Sequence, residues 1–294
     1  MANLKEVRTR IASVSSTQQI TSAMKMVSAA KFRRAQNAII GMRPYASQMA
    51  EIAADIDVGD GVQTPYHEVR KLDNVLLVVV TSNKGLCGAF NSNVIKQAQA
   101  RIEHYQALAT ADEPANLAMI TIGKRATEHF SKHFDNLVAS YDEMLDAATF
   151  DAVASLADDI MAQFCDKKYD HVEIVYNQFK NSLVQILSTE QFLPVLPTQH
   201  QGGAKAQTND YIYEPSKEEI LREMIPLTLR SQLYRVVLDS LASEHGARMN
   251  AMQKATDNAT ELLKELRLSY NKARQAAITN EIIEIVSGSE ALKG

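Results

Sequence analysis

Tryptophan is absent from these 294 residues, and the chain has only two cysteines, seven prolines and eleven glycines. Two thiols, Cys87 and Cys165, cannot build a disulfide framework, and they fit a reducing cytosol. Aromatic residues make up 6% of the chain, too few for a large aromatic-lined pocket. No segment reaches the ~18 consecutive apolar residues of a membrane span. The N-terminus, MANLKEVRTRIASV, carries no signal-peptide apolar region. These absences point to a soluble chain facing the cytosol. Its apolar content, 46%, comes chiefly from Ala, Leu, Ile, Val and Met, a palette suited to helix–helix packing.

The scarcity of Pro and Gly is concentrated at the two ends. Leu4 to about Ile56 and Ser216 to Val286 are nearly free of both and carry helical periodicity. At 1.5 Å per residue these helices would extend about 80 Å and about 105 Å. Uncapped periodicity beyond ~25 residues indicates a coiled coil or helical repeat, so two such helices predict a shaft. In the first, Leu4, Val7, Ile11 and Val14 form an apolar set. A shifted set follows at Ile20, Ala23, Met24 and Val27, and the spacing resumes at Ala35, Ala38, Met42, Tyr45, Met49 and Ile52. Gly41 and Pro44 are expected to kink it, and residues 58–63, VGDGVQ, read as a loop. The second opens on a capping box, Ser216 with Glu219, after Pro215. Pro226 is expected to kink it, and Gly288 sits where a C-cap belongs. From Met252 a seam spaced 3–4 passes through Ala255, Ala259, Leu262, Leu266, Ser269, Ala273, Ala276, Asn280 and Ile283. Such a seam specifies a left-handed supercoil, and Ala allows a close partner backbone. Antiparallel pairing of the two ends, with Ala255–Asn280 along part of residues 4–35, supplies that partner.

Between the ends the pattern changes. Val75–Val80 is a continuous apolar run of the kind that forms a strand buried on both faces. Helices are expected at about 91–108, 124–134 and 149–165, with further strands at 117–122, 172–176 and 183–187, the last antiparallel after a turn at Asn181. This alternation predicts a largely parallel, Rossmann-like α/β domain inserted between the arms of the coiled coil. The domains read as 1–57, 70–208 and 211–294, with the first and third paired. A polar surface loop is expected from Pro194 to Asp210.

The net charge of −4 hides an asymmetry. Lys5, Arg8, Arg10, Lys25, Lys31, Arg33, Arg34 and Arg43 face a single acid, Glu6, within residues 1–43, a local +7 on a chain otherwise acidic. A basic helix fits nucleic acid, an anionic membrane or an acidic protein partner. Ala and Gln rather than stacking aromatics separate the charges, which favours the protein partner. A coiled-coil nucleic-acid-binding or scaffold protein is the alternative. The loop SNKGLCG at 82–88 lies between a strand and a helix, where phosphate cradles occur, but it matches neither GxGxxG nor GxxxxGK[ST]. His129 and His133 lie four apart on one helix without a third ligand near in sequence. Ser28 and Lys31 spell SxxK without the companion SDN or KTG motifs. Cys87 has no neighbouring His. No catalytic, cofactor or metal site is proposed by these residues.

Three segments are distinctive. IASVSSTQQITSAMKMVSAAKFRRAQ at 11–36, SNKGLCGAFN at 82–91 and KARQAAITNEIIEIVSGSEAL at 272–292 resemble signature segments of the gamma subunits of F-type ATP synthases, bacterial type. The resemblance spans essentially the whole chain. Ala89 replaces a second Gly and Ser289 an Ala, both small-for-small, and the cysteine-bearing insertion of chloroplast members is missing. The resemblance implies the central-stalk rotor of a proton-translocating synthase, one copy per complex. It would turn inside the alpha and beta hexamer and stand against epsilon and the c-ring at the cytoplasmic face of the bacterial inner membrane. It implies no cofactor, no nucleic acid and no catalytic role for this chain, which would be a non-catalytic subunit of the enzyme. Carried over motif by motif, Met24, Arg274, Gln275, Thr279 and Glu281 would contact beta, and the basic face would meet beta's acidic lever loops.

Overall fold

In the computed structural model, residues 4–60, 64–108, 116–195 and 216–291 are described. Ten elements follow in order: α1 (Leu4–Asp60), β1 (Asn74–Val80), α2 (Phe90–Leu108), β2 (Asn116–Ile122), α3 (Lys124–His133), β3 (Leu137–Ser140), α4 (Phe150–Cys165), β4 (His171–Phe179), β5 (Gln185–Leu193) and α5 (Lys217–Ala291). Two short 3-10 turns, Pro65–His67 and Glu143–Leu145, complete the set. The chain divides into two compact units, one of residues 1–29 with 248–294, the other of residues 30–247.

In the larger unit, the strands order as β3-β2-β1-β4-β5. The first four run parallel, and β5 is antiparallel to β4. Val75 through Val80 are fully buried because both faces of the sheet are covered. Leu76, Val78 and Val80 pack with Leu156 and Ile160 of α4 and with Leu229, Leu233 and Val237 of α5. Val79 packs oppositely with Val94 of α2 and Phe130 of α3. Gly123 sits between β2 and α3 at φ 108°, and a Cβ there would lie 2.4 Å from the Thr81 carbonyl oxygen. Only Gly permits that approach.

Helix α5 is covered around its circumference in this unit, with no exposed residue from 229 to 244. Leu229, Leu233, Val236, Val237, Leu238 and Ala242 are all buried, and so are Ser240 and Ser243. A helix covered on every side lies inside a core, here between the sheet and residues of α1. Ile39, Phe179, Leu238 and Ala242 form a cluster with Phe32 and Ala35.

The smaller unit holds the N-terminal part of α1 and the C-terminal part of α5. Gln18 Nε2 donates to Thr260 Oγ1 at 2.7 Å, and Thr256 Oγ1 donates to Thr21 Oγ1 at 2.8 Å. Numbers rise on one helix as they fall on the other, so the pairing is antiparallel. On α1 the covered positions include Leu4, Val7, Ile11, Val14, Gln18, Thr21, Lys25 and Ser28, which keep an unbroken heptad spacing.

Several expectations need correction. The apolar register of α1 does not shift after Val14. The seam keeps its spacing but turns polar, while Ile20 and Val27 face outward, 59% and 60% exposed. On α5 the covered set after Leu262 is Leu263, Leu266, Tyr270, Ala273 and Ala277, so Ser269 and Ala276 lie one residue off the seam. From Ile278 onward every described side chain is exposed, so Asn280 and Ile283 have no cover among the described residues. Gly288 lies inside α5 rather than capping it. Residues 58–60 continue α1, whereas 61–63 lie outside the described residues. Neither Pro44 nor Pro226 ends its helix, an interruption that the expected kink at each does not require. The short strand β3 was not anticipated, and β5 starts two residues later and extends six residues farther than expected, Gln185–Leu193 against 183–187. The expected turn is present: Asn181 Oδ1 accepts from the amides of Leu183 and Val184. Ser216 caps α5 by accepting from the Glu219 amide at 3.3 Å. The expected loop 194–210 lies outside the described residues from 196 on.

Candidate partner-contact surfaces

The C-terminal end of α5 has apolar surface that none of the described residues covers. The residue numbers of each seam pair sum to about 278, so Leu4 falls opposite about Arg274. Beyond that point α5 outruns the described part of α1. Ile278, Ile282, Ile283, Ile285 and Val286 are all exposed, Ile285 at 72%. At 100° per residue, Ile278, Ile282 and Ile285 share one stripe, with Glu281 and Glu284 to its other side. A contiguous apolar face rimmed by polar groups marks a place where another protein sits.

Arg274, Gln275, Thr279 and Glu281 flank this stripe and are exposed. None makes a hydrogen bond or ion pair to another side chain among the described residues, so their polar ends are available. Met24 is half-buried beside the seam of α1. The structure thus brings the four α5 residues into two neighbouring turns and leaves Met24 apart from them on α1. Arg8, Arg10, Lys31, Arg33 and Arg34 are exposed along α1. The Arg43 side chain lies outside the described residues.

The loop after β1 occupies the carboxyl end of the sheet between β1 and β4, where strand order reverses and where such folds hold nucleotides. Its polar groups are turned on one another. Ser82 N and Oγ both donate to Asn91 Oδ1 at 3.0 Å, and Asn91 Nδ2 reaches Cys87 Sγ at 3.2 Å. Asn83 Nδ2 donates to the Asp142 carbonyl at 2.7 Å, and Asn83 Oδ1 accepts from the Lys124 amide at 3.0 Å. Asn177 Nδ2 closes the far side on the Phe90 carbonyl at 3.1 Å. Leu86 and Gly88 both adopt φ 62°, which makes the turn tight. Asn83, Asn91 and Cys87 therefore act as struts of a knot that staples three elements together.

His129 and His133 stack with centroids 4.7 Å apart. His133 Nδ1 meets the His129 carbonyl at 2.7 Å, and Gln99 meets His129 Nε2 at 3.2 Å. Burial first, then the neighbouring His133, lowers the His129 pKa. Among the described residues no group of three or more His, Cys, Asp or Glu could hold a metal.

Two buried polar clusters escaped sequence reasoning. In the first, Arg101 of α2 grips Glu173 of β4 through two hydrogen bonds of 2.8 and 2.7 Å, with its guanidinium 5.0 Å from the Tyr105 ring. Burial alone would raise the Glu173 carboxyl, but the His171 imidazole at 3.4 Å, the Arg101 guanidinium and the neighbouring Tyr105 hold it down at about 2. In the second, Tyr176 of β4, Glu190 of β5 and Arg235 of α5 form a chain. The partners in both lie far apart in sequence, which left no local signal.

The comparisons with known proteins set the class first. The family model described as ATP synthase matches residues 3–292. Curated relatives named ATP synthase gamma chain include those of Flavobacterium johnsoniae, 53% identical over the full length of both chains, and Flavobacterium psychrophilum, 52% identical over the full length of both. The chain belongs to the ATP synthase gamma-chain family. Among solved structures, the Euglena gracilis mitochondrial ATP synthase (OSCP/F1/c-ring, rotational state 3) matches at a TM-score of 0.71 with 22% identity, covering 98% of this chain and 94% of that one. A chain of the Tetrahymena thermophila mitochondrial ATP synthase central stalk/c-ring structure matches at 0.58 with 25% identity, covering 80% of this chain and 99% of that one. No helix among the described residues is long and apolar enough to cross a membrane.

Proposed function

We propose that this chain is the central-stalk rotor of a proton-translocating F-type ATP synthase, one copy per complex. It carries torque between the membrane c-ring and the alpha/beta hexamer, beside epsilon, and performs no chemistry of its own. The observation that carries this reading is the uncovered end of α5. Its exposed isoleucines, with Arg274, Gln275, Thr279 and Glu281 beside them, suit a shaft end seated in a ring of other subunits. Those four residues and Met24 are the proposed beta contacts, and the basic side chains of α1 are the proposed partners of acidic lever loops on beta. The complex is held at the cytoplasmic face of the bacterial inner membrane through partners.

Magnitudes favour a distributed contact. One charge crossing 100 mV is worth about 2.3 kcal/mol, and an exposed ion pair only ~0.2–1 kcal/mol. Many side chains pressing together must share the load. Co-purification tests the proposal: the chain should elute with alpha and beta subunits and raise their ATP hydrolysis. A chain that purifies alone and leaves hydrolysis unchanged would refute it.

A further inference from the structure

A rotor needs its helix fixed against turning on its own sheet, and apolar packing does this poorly because it is non-directional. Within the larger unit, the hairpin formed by β4 and β5 touches α5 at three places of different chemistry. Near the hairpin tip, a Cβ at Gly246 would lie 3.3 Å from the Ser182 carbonyl oxygen. In the middle, Phe179 clusters with Leu238 and Ala242. Farther along, Arg235 Nη2 meets Glu190 Oε2 at 2.6 Å, and Arg235 Nη1 lies 3.9 Å from Asp239 Oδ2. Glu190 also accepts from the Tyr176 hydroxyl at 2.5 Å, and Tyr176 is fully buried. Asp239 is 3% exposed, so the guanidinium is held between two carboxylates on one side of a core helix.

We propose that Arg235 is the positioning residue that fixes the rotational setting of α5 on the β4–β5 hairpin. Part of the load carried by the helix would then reach the sheet through Glu190 and Tyr176, alongside the apolar contacts that share it. This rests on the rotor reading above. The geometry supplies the reason. A side-chain tip about 6 Å from the helix axis moves about 2 Å when the helix turns 20°. Such a displacement breaks a 2.6 Å hydrogen bond outright, because that bond depends on direction as well as distance. Burial disfavours the guanidinium charge, yet Glu190, Tyr176 and Asp239 outweigh it and raise the Arg235 pKa, so the grip stays charged. A planar fork also fixes direction, as an ammonium does not.

The test uses the assembled synthase in membrane vesicles, reading ions pumped per ATP hydrolysed against an imposed potential. Arg235→Gln and Glu190→Gln should each lower that ratio at least threefold under load. The double variant should be no worse than either single, because both remove one contact. Leu156→Ala, a core truncation on α4, serves as a stability-matched control and should keep the ratio. Wild-type pumping by Arg235→Gln, or an equal loss in Leu156→Ala, would overturn the proposal. If the complex hydrolyses and pumps equally well without this chain, the rotor reading itself falls, and the two failures are told apart.

Discussion

Thr21 of α1 and Thr256 of α5 meet hydroxyl to hydroxyl at 2.8 Å, in the seam of a helix pair where aliphatic residues would be expected. Thr21 donates to the Gln18 carbonyl at 3.0 Å, which leaves its oxygen free to accept. The single Thr256 proton has two acceptors at 2.8 Å, Thr21 Oγ1 across the seam and the Met252 carbonyl within its own helix. Polar residues at seam positions fix register and orientation at some cost in stability. Cysteines at Thr21 and Thr256, whose Oγ atoms lie 2.8 Å apart at the positions sulfurs would take, should form a disulfide under mild oxidation. Cysteines at Ile20 and Thr260 should not. Equal crosslinking of both pairs, read on a denaturing gel, would show that the seam is misplaced.

That seam also shows where the sequence was legible. The strand β1 could be read from VLLVVV alone because cover on both faces demands an unbroken apolar run. The middle of α1 could not, because hydrophobicity there marks the outward face. Ile20, Met26 and Val27 are exposed while Gln18, Thr21 and Ser28 are covered. A pattern reader follows the isoleucine and turns the helix the wrong way. β3 spans four residues with two exposed, too short to carry a periodic signal. The Arg101–Glu173 and Arg235–Glu190 pairs join elements far apart in sequence, so only the folded sheet reveals them. The C-terminal contact set could be named only through family resemblance, since an exposed polar face looks like any solvated one.

Gly123 and Gly41 should respond oppositely to alanine. At Gly123 the new Cβ would lie 2.4 Å from the Thr81 carbonyl oxygen, at a φ of 108° that L residues avoid. Gly123→Ala should cost roughly 2–4 kcal/mol. Gly41 lies within α1 with nothing within 4 Å of a Cβ. Gly41→Ala should stabilise by about 0.5–1 kcal/mol. Chemical denaturation of the two variants checks both signs.

Acid stability should report on Glu173. Its folded-state pKa, about 2, lies below the ordinary 4.5. A depressed carboxyl contributes stability that is present above the unfolded pKa and is lost as pH falls through the folded one. The window therefore runs from about 4.5 down to about 2. Glu173→Gln should lose about 1.5–3 kcal/mol at pH 7, because the Arg101 grip loses its charged acceptor. Wild type and variant should converge as pH approaches the lower end of that window. Urea midpoints across the window read this directly, and parallel curves would sink the assignment.

The uncovered end of α5 gives the sharpest test of the site. Arg274, Gln275, Thr279 and Glu281 are exposed, so removing their side chains leaves no cavity. Single Ala changes should leave the thermal midpoint of the isolated chain within about 1 °C, since exposed changes cost under ~0.5 kcal/mol. In the complex each should lower ATP-driven turnover about two- to tenfold, where a charge-assisted hydrogen bond worth ~1.5–3 kcal/mol is partly shared by its neighbours. Ile282→Ser and Ile285→Ser remove exposed apolar surface instead and should weaken assembly rather than turnover. Truncation after Ile278 deletes both kinds of contact and should exceed any single change, again without unfolding the chain, because α1 covers nothing past that residue. The measurement is hydrolysis and subunit retention in the reconstituted complex. If all four polar residues become Ala together with assembly and coupled turnover intact, this face is merely solvated, and the contact must lie elsewhere on the shaft.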